Sequence, residues 1–173
     1  HFPLRRQRQM CIRDRSSYAR LRIGAHSLML AHQRIDGDQP FDYLGDGDSI
    51  YLANSVLYSD FNSPNERSWQ VRYDFEFAAL GVPGLSVMTR YLRGSGIDNS
   101  RVDPNGAYAY YARLGDGGRH WERDIQVQYV VQGGPAKDLS FTLQQTVHRA
   151  NAAQADGDVK QVRIITQYPL EIF

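Results

Sequence analysis

The chain has 173 residues, a net charge of +1 and a single cysteine, Cys11. That charge excludes a nucleic-acid footprint, the lone cysteine excludes an internal disulfide, and no run approaches the ~18 consecutive apolar residues of a membrane-crossing helix. A membrane β-barrel stays open, because its lipid-facing residues are diluted by polar ones and leave a weak hydropathy signal.

Residues 1–15 (HFPLRRQRQMCIRDR) are basic and aperiodic and contain the cysteine. They read as an artefact of sequence assembly, or alternatively as a disordered basic arm, so residues 1–16 are set apart and residues 17–173 are taken as the folded domain. No secretory signal peptide precedes the first strand, so a barrel reading brings the expectation that an N-terminal part is missing.

From residue 17 onward the hydrophobic period is two. Strands are predicted over residues 17–23, 25–35, 67–80, 85–93, 121–132, 139–149 and 159–172. In the third, Trp69, Val71, Tyr73, Phe75 and Phe77 point one way, while Gln70, Arg72, Asp74, Glu76 and Ala78 point the other. These segments are long: a tilted membrane strand needs ~9–11 residues, against about 5–6 for soluble strands. The last alternates Val162, Ile164, Tyr168, Leu170 and Ile172 and runs to a terminal Phe173, like the closing strand of an outer-membrane barrel.

The connections alternate in length. Gly24, residues 81–84 and residues 133–138 are short, whereas residues 36–66, 94–120 and 151–158 are longer. Counted back from a periplasmic C-terminus, every short connection falls inside and every longer one outside, as in bacterial barrels. Residues 49–58 are strand-like but would break this parity, so they belong to the long loop, folded inward or extending the wall. Trp69, Tyr91 and Trp121 fall at outer strand ends, and Tyr129 and Tyr168 nearer inner ends, where two aromatic girdles are expected. A soluble sandwich core is the alternative for the same residues.

The expected fold is therefore all-β, an antiparallel up-and-down meander forming the C-terminal part of a transmembrane barrel. Its first and last strands should be unpaired edges. Trp69, Val71, Tyr73, Phe75, Phe77, Leu85, Val87, Ile125, Val127, Leu139, Phe141, Ile164 and Leu170 should share the outer, convex face. The lumen set is then Arg20, Arg22, Arg72, Arg90 and Arg163, with the acids Asp74, Glu76, Glu122 and Asp124. A lipid-facing Arg or Lys near mid-bilayer costs about 2–4 kcal/mol, so these charges belong on the wet face. Arginine suits carboxylate relay because its planar fork binds bidentately and never loses its charge. The competing reading is that some of these charges simply pair with one another along the wall.

Residues 66–94 (ERSWQVRYDFEFAALGVPGLSVMTRYLRG), 21–44 (LRIGAHSLMLAHQRIDGDQPFDYL) and 121–139 (WERDIQVQYVVQGGPAKDL), with the ending Tyr168-Pro169-Leu170, resemble in order the OprD-type family of substrate-specific porins of Pseudomonas and related Gram-negative bacteria. The resemblance implies about seven of about eighteen barrel strands, a lumen narrowed by inward-folded loops, and an outer-membrane location. It implies selective passive uptake of small carboxylate-bearing solutes such as basic amino acids through a monomeric channel or weak homo-oligomer. The expected partners are those solutes, outer-membrane lipid and the barrel-assembly machinery, with no nucleic acid. The family's lumen carries a ladder of basic residues. On residues 139–149 the inward positions are Ser140, Thr142, Gln144 and Thr146, so the ladder is thinner there.

Enzymatic chemistry finds no foothold. No Ser/His/Asp grouping, phosphate loop or metal cluster appears at a diagnostic spacing, and Gly94-Ser95-Gly96 reads only as the opening of a loop. His26, His32, His120 and His148 show no metal spacing, and no cofactor is expected. The functional alternative is a soluble or surface-attached β-domain that binds a partner through its long loops.

Overall fold

In the computed structural model, which describes residues 13–41 and 52–169, the period-two segments form one sheet of seven antiparallel strands. They are β1 (Arg13–Ile23), β2 (His26–Asp36), β3 (Arg67–Glu76), β4 (Leu85–Asp98), β5 (Asp116–Val130), β6 (Ser140–Ala150) and β7 (Val159–Gln167). Each strand pairs with its sequence neighbour, and the order β1 to β7 leaves the first and last strands as open edges among the described residues. The only helices among those residues are two short 3-10 turns, Phe77–Leu80 and Tyr111–Arg113.

Several boundaries differ from the sequence expectation. β1 begins at Arg13 rather than residue 17, because Arg13, Asp14, Arg15 and Ser16 all pair with β2. β3 stops at Glu76, and Phe77–Leu80 turns over as a 3-10 helix capped by Gly81 at φ 82°. Phe77 thus leaves the strand face and packs edge-on against Phe75 at 4.8 Å. β4 continues through Gly94-Ser95-Gly96 to Asp98, with register shifts between Ser95 and Asp98, so those residues are strand and not a loop opening. β5 begins at Asp116, which moves His120 from the loop into the strand. β7 ends at Gln167; Leu170, Ile172 and Phe173 lie outside the described residues, as do residues 49–51 of the strand-like loop segment.

Burial is inverted relative to a soluble sheet. On one face Trp69, Val71, Tyr91, Val127, Tyr129, Phe141, Leu143, Val162 and Ile164 are exposed. On the other, Gln33, Ser68, Gln70, Glu122, Asp124, Thr142, Gln144, Thr146 and His148 are buried. An apolar band left bare while polar residues go inside is what lipid on one side and a polar lumen on the other require.

What buries the polar face is loop. From Leu52 to Glu66 the chain has no strand and lies across β2–β5: Gln33 Nε2 donates to the Phe61 carbonyl at 2.8 Å, and the Asn54 N–H donates to Gln33 Oε1 at 2.8 Å. The strand-like segment is therefore folded inward over its described part. Residues 99–115 and 151–158 join it, with Asn99 Nδ2 donating to the Ala153 carbonyl at 3.0 Å.

Candidate functional site

Cα partners in an antiparallel sheet share a face, so successive pairings trace rows across the polar wall. One row runs Arg20, Met29, Arg72, Arg90, Asp124, Thr146, Gln161; the next runs Arg22, Ser27, Asp74, Met88, Gln126, Gln144, Arg163. Two rows toward the long-loop side run Tyr18, Ala31, Gln70, Leu92, Glu122, His148 and Ser16, Gln33, Ser68, Gly94, His120, Ala150. Neighbouring rows stand about 7 Å apart, two residues along a strand.

All nine charged residues expected inside lie on this polar face. The structure gathers four of them. Arg72 and Arg90 are direct cross-strand partners. Arg72 Nη2 donates to Asp74 Oδ1 at 2.6 Å and its Nε donates to both Asp74 oxygens at 3.0 Å. Arg90 Nε donates to Asp124 Oδ2 at 2.6 Å, with side chains 10% and 0% exposed. These links let two like charges face each other at one rung. The Oδ1 atom of Asp124 is buried with no partner.

The other five stand apart. Arg20 and Arg22 are exposed on edge strand β1, and Arg20 Nη2 touches Met29 Sδ at 3.3 Å. Arg163 is exposed on the opposite edge strand, in register with Gln144, and Glu76 is exposed where β3 ends. Glu122 does not look onto open space. It is fully buried and accepts the backbone N–H groups of Tyr58 at 3.0 Å and Ser59 at 2.9 Å, so it anchors the inturned loop.

That anchor belongs to a network absent from the sequence expectation. Asn54 Nδ2 donates to Ser68 Oγ at 2.8 Å, Ser59 Oγ donates to Asp156 Oδ2 at 2.6 Å, and Ser63 Oγ lies 3.2 Å from Gln154 Oε1. His120 and His148, assigned no role from spacing, face each other at 2.8 Å, and Phe61 stacks on His120 at 4.1 Å. His148 continues the inward alternation of Ser140, Thr142, Gln144 and Thr146, and that is the signal that could have found it. His120 was one residue beyond the predicted start of its strand.

Above the wall, the loops form a pocket of about 200 Å³ whose lining includes Phe41, Tyr58, Asp60, Tyr108, Tyr111 and Asp156. Burial, with Asp156 and Glu122 nearby, raises the Tyr58 phenol above its ordinary range; burial, with the adjoining Tyr110, raises that of Tyr111. Both hydroxyls therefore stay protonated as donors. The wall thus offers cationic rungs, and the loops offer an aromatic, acidic cup beside them.

This arrangement agrees with comparison to known proteins. Residues 12–172 match the model of the outer membrane porin, OprD family. The chain is 52% identical over 159 residues to Porin D of Pseudomonas aeruginosa, covering 87% of the chain and 36% of that protein. It is 29% identical over 151 residues to the porin-like protein GalP of Pseudomonas putida, covering 87% of the chain and 32% of that protein. Among solved structures, Pseudomonas aeruginosa OprD superposes with a TM-score of 0.87 at 48% identity, over 95% of this chain and 44% of that one. OccD3 (OpdP) of the same organism gives 0.85 at 40% identity, over 92% and 40%. The chain spans about a third of the length of these curated relatives. An inverted seven-stranded wall, loops turned onto its polar face and a match over nearly its whole length together show that this chain belongs to the OprD family of outer membrane porins.

Proposed function

We infer that this chain forms part of the wall and constriction of an outer-membrane channel for passive uptake of small carboxylate-bearing solutes, basic amino acids among them. The observation that carries this reading is the pairing of arginine rungs (Arg20, Arg72 and Arg90 in one row, Arg22 and Arg163 in the next) with an aromatic pocket holding Asp60 and Asp156. A solute with a carboxylate at one end and a cation at the other finds a partner for each. Several arginines spaced along the wall give weak successive sites, and conduction needs sites weak enough to leave.

The test uses a complete barrel carrying this segment, reconstituted into liposomes. Swelling rates compare a basic amino acid with a neutral sugar of similar size. Arg20, Arg22, Arg72 and Arg163 are changed together to Gln, which keeps length and hydrogen bonding and removes charge. Arg90 is left alone because Asp124 depends on it. The expected outcome is a wild-type preference for the amino acid that falls severalfold in the variant while the sugar rate holds. Equal rates in the wild type would mark a general diffusion pore. An unchanged preference in the variant would make these arginines scaffold only.

A further inference from the structure

Two buried histidines are used neither by the arginine rungs nor by the pocket. His120 on β5 and His148 on β6 are 2% and 0% exposed, with His120 Nδ1 2.8 Å from His148 Nε2. The contact extends at both ends. His120 Nε2 lies 2.6 Å from Glu66 Oε1, at the close of the inturned loop, and His148 Nδ1 lies 2.8 Å from the Gly157 carbonyl in the 151–158 loop. The other Glu66 oxygen accepts the Ser63 N–H at 3.0 Å. Gly94 lies beneath: a Cβ there would run into Glu66 Oε1 and the His120 ring, so the wall is cut away to seat this pair.

Counting protons along the chain constrains it. A carbonyl only accepts, so His148 Nδ1 carries a proton. The facing ring nitrogens share a second, and the Glu66–His120 contact holds a third. Three is one more than an ionised carboxylate and two neutral imidazoles hold between them. A fourth proton would set two N–H groups head to head. With one fewer, two lone pairs would oppose each other. Either state breaks a link sealed from water.

A metal ion fits less well. His120, His148 and Asp156 offer donor atoms within 4.8 Å of one another. Nitrogens bound tetrahedrally to zinc at about 2.0–2.1 Å stand about 3.3 Å apart, wider than the observed 2.8 Å. The Asp156 carboxylate already accepts from Ser59. The groups facing the pair are Asp156 and Asp158 from the 151–158 loop, Glu122 as the cross-strand partner of His148, and the Tyr58 ring 5.0 Å from His148. The Gln154 amide nitrogen lies 3.2 and 3.3 Å from the two ring nitrogens of His120.

We propose that Glu66, His120 and His148 form a three-proton latch that positions the inturned loop over the lumen, closed within one pH window and released on either side of it. The proposal rests on the channel reading, since the loop narrows a pore only if there is one. Each limb of the profile involves one proton, so the ratio of released to latched loop changes about tenfold per pH unit.

The experiment scans pH in planar bilayers with a complete barrel carrying this segment. Wild-type conductance is expected to pass through a minimum and rise on both sides. The double change His120→Gln with His148→Asn keeps a side-chain amide facing Glu66 and the Gly157 carbonyl but removes both rings that exchange protons along the chain, and its profile should be flat. A flat or one-sided wild-type profile, or a minimum that persists in the variant, would overturn the latch. Ring nitrogen-15 spectra of the detergent-solubilised wild type give a second readout that needs neither the variant nor transport. A scalar coupling between His120 Nδ1 and His148 Nε2, lost together at both pH extremes, supports the latch. Its absence at every pH overturns it, even if no conductance is found and the channel reading itself fails.

Discussion

Arg90 differs from the other arginines of the wall in having a buried partner, and substitutions should reveal it. Removing Arg90 strands the Asp124 carboxylate, whose other oxygen already lacks a hydrogen bond. Breaking a buried pair from one side costs about 3–5 kcal/mol. Arg90→Gln is therefore expected to lower the unfolding midpoint in detergent and denaturant markedly, and the double change Arg90→Gln with Asp124→Asn should recover most of it. Arg163→Gln, at an exposed edge position, should move the midpoint little. Equal effects at Arg90 and Arg163 would show that the Asp124 contact contributes nothing. Gly94 offers a second test at this scale. Gly94→Ala keeps strand geometry but pushes a methyl into Glu66 and His120, so limited proteolysis should cut residues 52–66 faster while the strands stay protected.

On the channel reading the inturned loop is the element that would decide passage, and its anchor is the least legible residue. Glu122 read from sequence as one more lumen acid, because alternation fixes which face a side chain takes but not what covers that face. Only the return of Tyr58 and Ser59 onto β5 turns it into an acceptor for two backbone donors. Glu122→Ala should free the loop and let larger solutes through, whereas Glu76→Ala, at an exposed strand end, should not. Size-dependent swelling with a series of sugars checks this. The strands were legible for the opposite reason. Trp69, Val71, Tyr73 and Phe75 on one side and Arg72 and Asp74 on the other satisfy lipid and water at once, and no other register does so. Alternation misled at strand ends: its signal continues past the hydrogen bonding at Phe77 and stops before it at Gly94-Ser95-Gly96, at His120 and at residues 13–16.

At the scale of the molecule, the bare apolar band and the open edges act together. With Trp69, Val71, Leu143, Val162 and Ile164 exposed, the chain should leave bacterial membranes only with detergent, and extraction by high salt or carbonate should fail. Among the described residues its seven strands are one short of the smallest closed barrels, and β1 and β7 each keep an unpaired side. The 173-residue chain alone is therefore expected to give no discrete single-channel steps in planar bilayers, whereas a complete barrel containing it should. Stable unitary steps from the chain alone would mean that copies close a pore between them.

The nearly unbroken pairing from β1 to β7, with register shifts only near Ser95–Asp98 at the outer end of β4 and β5, also limits how such a chain can change its length over generations. Loss of Thr89 alone would carry the outer half of β4 onto the opposite face, bringing Leu92 toward lipid and Tyr91 toward the channel. Loss of Met88 and Thr89 together would leave every remaining side chain on its own face. Viable insertions and deletions in the wall should therefore come in pairs of residues, while the long connections drift in length one residue at a time. A deletion scan scored by recovery from the outer-membrane fraction would show this as an even–odd rhythm along each strand, fading where the register slips beyond Ser95.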